Sequence, residues 1–173
     1  THIYHDGAQY WLSPQPNVSN TARDRARGYD EDVIADNVQL LIKRATKDKG
    51  GFSAIHACPE SSSDVADDSS LRLIVLKPGQ HHTNNSPDSP ALSSAEYFLT
   101  KRGNSPRLNQ NSIVFLAADK SKLEDLYESV RLSMAWTSIT RDKDALDLSP
   151  FNLAMAERKV EELATSVHIK LLE

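Results

Sequence analysis

Three short apolar segments constrain the fold of this chain more than any other feature. They occupy residues 52–58, 71–76 and 112–117, and helix-like segments separate them. Strands buried on both faces read as continuous apolar runs, and parallel strands need a crossover between them, usually a helix. The spacing therefore predicts an α/β fold with a central, mostly parallel three-stranded sheet and flanking helices.

An N-terminal β-hairpin is predicted over residues 1–13. Asp6 and Gly7 suit the two positive-φ positions of a type I′ turn, and alternating apolar residues flank them. In that register, four polar or aromatic residues share the outer face: His2, Tyr4, Gln9 and Trp11. Such a hairpin can pack on the sheet or on neighbouring domains, or rest on a sugar-phosphate backbone as the wing of a winged-helix unit.

Capping residues predict helices on both sides of the sheet-forming region. Asn17 or Ser19 can cap a short helix that Gly28 ends, and Asp30 can cap the helix that follows. Further along, Ser121 reads as the start of a capping box that opens a long helix.

A last long helix is predicted over residues 149–173, where Ser and Pro stand at the start. Its apolar stripe alternates spacings of three and four residues: Leu153, Ala156, Val160, Leu163, Val167 and Leu171. This stripe is typical of a coiled coil or of docking against the domain or a larger remainder. We expect packing on this domain over the first half and looser packing beyond Leu163.

Length and composition favour one domain over residues 1–173, with an α/β core at 52–141. Residue 1 is not Met and the helical pattern continues to the last residue, so we expect a fragment of a larger protein. No apolar stretch is long enough to span a bilayer, which favours a cytoplasmic protein without membrane contact. The single cysteine, Cys58, excludes an internal disulfide and a thiolate zinc cluster.

The loop before the third apolar segment is the first candidate site, for phosphate or nucleic acid. It contains Arg102, Gly103, Asn104 and Arg107. Arginine matches phosphate oxygens with a planar fork, and glycine lets the backbone approach a ligand closely. Asp119 follows the strand and belongs to the opposite, carboxyl edge of the sheet, where ligands of open α/β sheets gather. The alternative is that both arginines pair with local groups and only stabilise the loop.

A second candidate is the pair Arg23 and Arg27, which lie four residues apart on one helix face. A fixed positive charge can stabilise a transferring phosphate on a neighbouring subunit. Solvated ion pairs on a helix surface explain the same pattern. The net charge of −4 argues against non-specific nucleic-acid binding by the whole domain, although a local basic face remains compatible with it.

The acidic and histidine residues form weaker patterns. Asp64, Asp67 and Asp68 can bind magnesium together with a substrate phosphate, but Ser61 and the following acids equally resemble a helix start. His56 stands in an apolar strand, and residues 81–82 form a histidine pair without acid or thiol partners at ligand spacing. We therefore predict no metal site and assign no catalytic residue.

Several stretches of the sequence carry a resemblance to a known family. The main segments are residues 102–107, 111–119 and 123–136, and shorter ones are 10–11, 15–17, 22–26, 67–68 and 72–76. They resemble segments of large prokaryotic predicted AAA+ superfamily ATPases that carry domain of unknown function four hundred and ninety-nine. The resemblance implies a parent protein that binds ATP and magnesium and works beside DNA-modifying or phage-defence systems. It also implies that the rest of that ATPase, DNA and an oligomer formed through the parent are partners. The phosphate-binding loop Gly-x-x-x-x-Gly-Lys-[Ser/Thr] does not occur in this sequence.

The function that follows is a non-catalytic accessory domain of such an ATPase, which binds a partner domain, nucleotide phosphate or DNA. One alternative is a freestanding nucleic-acid-binding module that uses the winged hairpin and an arginine face. Another is a metal-dependent enzyme that acts on nucleic acid through the aspartates. The three differ in whether the arginines converge on one face or the acids converge in a cleft.

Overall fold

The structure is a computed structural model that describes residues 2–6, 9–13, 17–84 and 86–173, the first two ranges by their backbone alone. The strands are β1 (His2–Asp6), β2 (Gln9–Ser13), β3 (Ala54–Ala57), β4 (Arg72–Val75), β5 (Lys101–Arg102), β6 (Ser105–Pro106) and β7 (Ile113–Leu116). The helices are α1 (Val18–Arg27), α2 (Glu31–Ala45), α3 (Pro90–Thr100), α4 (Lys120–Arg141) and α5 (Pro150–Leu172). Two 3-10 helices lie at Ser62–Asp64 and Pro78–Gln80.

The chain divides into two compact units. The first unit comprises Thr1–Ile34 and Leu126–Glu173, and the second comprises Ala35–Asp125. Both chain crossings between them fall inside a helix, α2 or α4. One domain over 1–173 with a core at 52–141 therefore stays a prediction. No helix among the described residues is long and apolar enough to cross a membrane.

A three-stranded parallel sheet with flanking helices forms the second unit, and the predicted α/β fold is confirmed. β4 lies between β3 and β7, and Ile74 pairs with His56 on one side and Phe115 on the other. The residues that face the crossovers form the core: Val65, Ile74, Leu76, Ala91 and Phe98, with Ile113, Phe115 and Ala117 packed against them.

The first crossover differs from the prediction of helix-like segments between all strands. Between β3 and β4 the chain forms only the short 3-10 helix Ser62–Asp64, whereas α3 lies between β4 and β7. Ser61 starts that 3-10 helix with a capping box, since its hydroxyl accepts from Ser63 N–H and the Asp64 carboxylate accepts from Ser61 N–H. The helix-start interpretation of these residues is thus confirmed.

Residues 77–93 are rich in Pro, Asn, Ser and His, and such a composition predicts an exposed and mobile loop, but the part between β4 and α3 contains buried anchors. Ser89 is fully buried, and its hydroxyl accepts from Thr83 N–H (3.4 Å) and donates to the His81 carbonyl (3.2 Å). His82 forms a parallel bridge to Asp119 and so continues beside the end of β7. The Ser89 hydroxyl therefore connects the end of this segment to residues 81–83, and the prediction of exposure was wrong at Pro78 and Ser89.

In the first unit, helices α1, α4 and α5 share a core of Val18, Ala22, Trp136, Ile139 and Ala156. The predicted caps of α1 and α5 are confirmed, because Asn17 accepts from Ser19 N–H and Ser149 accepts from Asn152 N–H. The expectation of looser packing beyond Leu163 was wrong. Val167 is only 6% exposed, and Lys170 near the end of α5 donates to Ser129 on α4 (2.8 Å).

The N-terminal strands β1 and β2 pair antiparallel, as predicted for a hairpin, but in another register. Asp6 pairs with Gln9, so Asp6 is a strand residue and not a turn position. Tyr4 pairs with Trp11. Residues 7 and 8, on which the predicted turn type depends, lie outside the described residues. The predicted outer face concerns the side chains of His2, Tyr4, Gln9 and Trp11, which also lie outside what the structure describes.

Candidate functional site

Arg107 belongs to the loop before the third apolar segment, which the sequence predicts as a site for phosphate or nucleic acid. The residue is buried. It is 3% exposed, and its guanidinium donates to four main-chain carbonyls. These carbonyls belong to Phe98 (2.9 Å), Ala66 (2.9 Å), Val65 (3.1 Å) and Ser62 (3.3 Å). Burial lowers the pKa of Arg107, and the charge of Asp67 opposes this effect. Its donors are committed to the fold, so Arg107 stabilises the loop, as the alternative interpretation expects.

Two further contacts fix the loop against the segment between β3 and β4. Asp67 accepts the N–H groups of Leu108 and Asn109, both at 2.8 Å, and these bonds lower the pKa of its carboxyl. The Gly103 N–H donates to the buried Ser62 hydroxyl at 2.9 Å. Gly103 has φ +58°, a conformation that side chains other than glycine rarely adopt. The loop is therefore held at its base and at its turn.

The tip of this loop is a small hairpin that points its cations outward. β5 and β6 pair antiparallel, with Arg102 opposite Ser105 and Lys101 opposite Pro106. Lys101, Arg102 and Asn104 are all exposed. Of the predicted residues, Arg102, Gly103 and Asn104 thus share one exposed turn, whereas Arg107 lies beneath it. We call residues 101–106 the basic hairpin.

The three aspartates of the predicted acidic cluster have separate structural tasks. Asp64 completes the capping box at Ser61 and Asp67 holds the loop after Arg107. Asp68 forms a two-pronged ion pair with the buried Arg72, with Nη2 to Oδ2 at 2.8 Å, and Arg72 lowers the Asp68 pKa strongly. Among the described residues, no group of three His, Cys, Asp or Glu side chains is arranged to hold a metal ion.

His56 on β3 lies close to this buried network without a hydrogen bond at its Nε2 atom. Burial lowers the pKa of His56 first, and the positive charge of Arg72 lowers it further. The neutral imidazole is therefore the form that the folded protein favours.

Asp119 lies at the opposite, carboxyl edge of the sheet, as the sequence predicts. Its Oδ1 accepts from the Ser121 N–H (2.9 Å) and hydroxyl (2.6 Å), and these bonds lower the Asp119 pKa. Asp119 therefore caps α4, and the predicted capping box starting at Ser121 was wrong. The helix begins at Lys120 because the Asp119 carboxylate, two residues before Ser121, already accepts the N–H groups of the first turn.

Arg23 and Arg27 lie on α1 in the first unit, and both are exposed. Arg23 donates to Asn20 at 3.1 Å, whereas Arg25 between them forms a partly buried ion pair with Asp142 at 2.7 Å. Asp142 was not singled out from the sequence. Its contact spans more than a hundred residues, so local pattern contains no signal for it.

A further depression at the carboxyl edge escaped the sequence analysis. It has a volume of about 250 Å³ and lies between the exits of β3 and β4 and helix α3. The polar lining comprises Glu60, Lys77, Gln80, Ser93, Ser94 and Tyr97, and Pro59 and Phe98 add apolar surface. A lysine after a buried strand signals such a site only weakly, because most exposed lysines are merely solvated.

Comparison with protein-family models, with curated proteins and with solved structures finds no match to this chain. The geometry described above is therefore the basis on which function can be argued.

Proposed function

We propose that this chain is a non-catalytic accessory domain of a larger predicted AAA+ ATPase, and that its basic hairpin binds the phosphates of DNA. The resemblance of residues 102–107 and 111–119 to those ATPases supports the parentage. The contacts of the hairpin support the binding role. The parent's ATP and magnesium would be bound by other parts of that protein.

The proposal rests on the different environments of Arg107, which is buried, and Arg102, which is exposed. Arg107 donates to buried carbonyls, and this holds the hairpin in one position. Arg102, five residues earlier, is exposed at the tip together with Lys101. A rigid tip loses little conformational freedom on binding, so its two cations can contact phosphates at a small entropic cost.

The shape of the hairpin favours a nucleic-acid backbone over a free nucleotide. Small ligands bind in concave sites, where most of their surface is covered. The exposed tip at Arg102 and Asn104 suits an extended row of phosphates, which needs only surface contact. Positive charge at a few positions also suffices when the whole chain is acidic, because counterion release acts locally.

The aspartates support the non-catalytic part of the proposal. Asp67 and Asp68 already serve main-chain donors and Arg72, and moving either to a metal would break those contacts. We expect the purified chain not to hydrolyse ATP. Turnover that copurifies with the chain and disappears on Asp119→Ala would contradict this.

The test of DNA binding is a salt titration with a short duplex and the double variant Lys101→Ala/Arg102→Ala. Each lost phosphate contact should reduce the slope of log affinity against log salt by roughly 0.9, so the double variant should lose roughly 1.8. The matched control is Lys47→Ala/Lys49→Ala, which removes two exposed cations from the same unit. We expect the control to keep the wild-type slope.

Equal effects of both double variants would show that binding follows net charge and not the hairpin. An unchanged slope in Lys101→Ala/Arg102→Ala would refute the proposed surface. The freestanding module with four arginines is less well supported, because Arg107 is buried and cannot contact DNA. Arg23→Ala/Arg27→Ala tests the remaining part of that alternative in the same titration.

A further inference from the structure

The depression at the carboxyl edge of the sheet combines a cation, hydroxyl groups and an aromatic surface. Lys77 lies two residues after the end of β4, and its side chain is 27% exposed. Ser93, Ser94 and Tyr97 lie on α3, and none of their hydroxyls makes a hydrogen bond to a described residue. In parallel sheets, ligands bind outside the carboxyl ends of the strands. This is where Lys77 and the hydroxyls lie.

Glu60 occupies the position in front of the Lys77 ammonium. The two side chains form an ion pair, yet Glu60 is 75% exposed. Exposed ion pairs stabilise a protein by only about 0.2–1 kcal/mol. Another anion can therefore replace the Glu60 carboxylate at little cost, since Glu60 can turn into solvent. The carboxylate stands where an anionic ligand oxygen would bind.

The surroundings favour an anion rather than a cation. Lys77 and Glu60 are the two charged side chains of the lining, so when Glu60 turns into solvent the lining keeps a single positive charge. Hydroxyl donors from Ser93 and Ser94 add neutral hydrogen bonds of the kind that phosphate oxygens accept. Gln80 is held in place, because its side-chain oxygen accepts the Lys77 N–H at 3.0 Å.

The aromatic side of the depression suits a ring. Tyr97 is 45% exposed and packs edge-to-face on the buried Phe98, with ring centroids 5.8 Å apart. This contact fixes the Tyr97 ring, so it can cover a sugar or a flat ring next to the phosphate. A volume of about 250 Å³ is below the usual range for drug-sized ligands, roughly 300–1,000 Å³. The ligand should therefore be small.

We propose that the depression between Glu60, Lys77 and Tyr97 binds a small phosphate monoester carried on a ring, such as a sugar phosphate. Lys77 and the two serine hydroxyls bind the phosphate, and Tyr97 covers the ring. Glu60 closes the empty site and is displaced on binding. The site is distinct from the basic hairpin, because none of the residues 101–106 lines it.

The experiment titrates inorganic phosphate and ribose 5-phosphate into the whole chain, followed by NMR shifts or calorimetry. Lys77→Gln should weaken both ligands by about tenfold, the effect of one charge-assisted hydrogen bond. Glu60→Gln should tighten both by about two- to fivefold, because it weakens the competing ion pair. Tyr97→Leu should weaken ribose 5-phosphate more than inorganic phosphate.

Two controls separate this site from other effects. Lys120→Gln removes an exposed cation from the same edge of the sheet, and Lys47→Ala/Lys49→Ala removes two exposed cations from the same unit. Both should leave phosphate affinity unchanged. Weaker phosphate binding by Glu60→Gln, equal losses from Lys77→Gln and Lys120→Gln, or no binding of either ligand would overturn the proposal. Because Glu60 is exposed, its variant should fold even if Lys77→Gln does not.

Discussion

Replacing Arg107 should destabilise the second unit more than replacing any exposed arginine. Arg107→Ala removes the charged donor from four main-chain carbonyls, at Ser62, Val65, Ala66 and Phe98, although the Ser62 carbonyl still accepts the Val65 N–H at 3.4 Å. Each hydrogen bond to a charged group contributes about 1.5–3 kcal/mol, so the four sum to roughly 6–12 kcal/mol before compensation.

Compensation is substantial because the variant no longer buries a positive charge. The effective cost of burying an ion is several kcal/mol, and water can enter the space left by the side chain. The net loss should therefore be about 3–5 kcal/mol, comparable to breaking a buried ion pair. Typical domains have only about 5–15 kcal/mol of stability, so the loss is a large part of the total.

Urea unfolding followed by circular dichroism measures the loss, and hydrogen exchange at β4 and β7 assigns it to the second unit. Arg107→Lys is the milder variant, because an ammonium keeps the charge but cannot reach four carbonyls with one planar fork. It should lie between wild type and Arg107→Ala. Arg102→Ala is the control and should stay within about 0.5 kcal/mol of wild type.

A loss below about 1 kcal/mol for Arg107→Ala would refute this reasoning. It would show that water satisfies the four carbonyls and that the guanidinium is free to serve a ligand. A loss as large in Arg102→Ala would be equally damaging, since that side chain is exposed.

Three further predictions concern other elements. Because the pKa of His56 is lowered in the folded protein, its contribution to stability is fully present above pH 6.5 and is lost as the pH falls through the folded-state pKa. When the free energy of unfolding is measured at several pH values, it should decrease less steeply below pH 6.5 for His56→Leu than for wild type. Val167→Asp should cost about 3 kcal/mol or more and lower the melting temperature by roughly 10 °C, whereas Ile169→Asp, at a 52% exposed position of the same helix, should change it little. Asp119→Ala should lower the free energy of unfolding by about 1 kcal/mol through loss of the α4 cap, whereas Asp119→Asn should keep most of the stability. Equal losses of both variants in chemical unfolding would contradict the capping role.

The sheet could be predicted from the sequence because its signal is local. Each of the three apolar runs contains one strand, and the shortfall is only at the ends, where residues 52–53 and Cys58 flank β3 outside the ladder. Helix starts at Asn17 and Ser149 were equally visible, since a cap and the N–H groups it accepts lie within three residues. Local chemistry and the folded chain agree at these positions.

The site could not be predicted in the same way, because its contacts span long stretches of chain. The Arg107 side chain contacts carbonyls 41–45 residues away as well as that of Phe98, and nothing in residues 102–111 distinguishes a buried arginine from an exposed one. The same holds for Ser89, which looks like an ordinary loop serine but is fully buried. At Ser121 the local capping-box pattern was present, but the preceding Asp119 took the position.

The main-chain contacts of Arg107 also affect how related sequences should vary. A guanidinium that binds carbonyls depends on the path of the backbone and not on the side chains at residues 62, 65, 66 and 98. Substitutions at those positions that preserve the backbone need no matching change at Arg107. Relatives of this chain should therefore keep arginine here while its contact positions diverge, and paired substitutions will not reveal the contact. A structural arginine of this kind has the substitution pattern usually attributed to a ligand-binding residue.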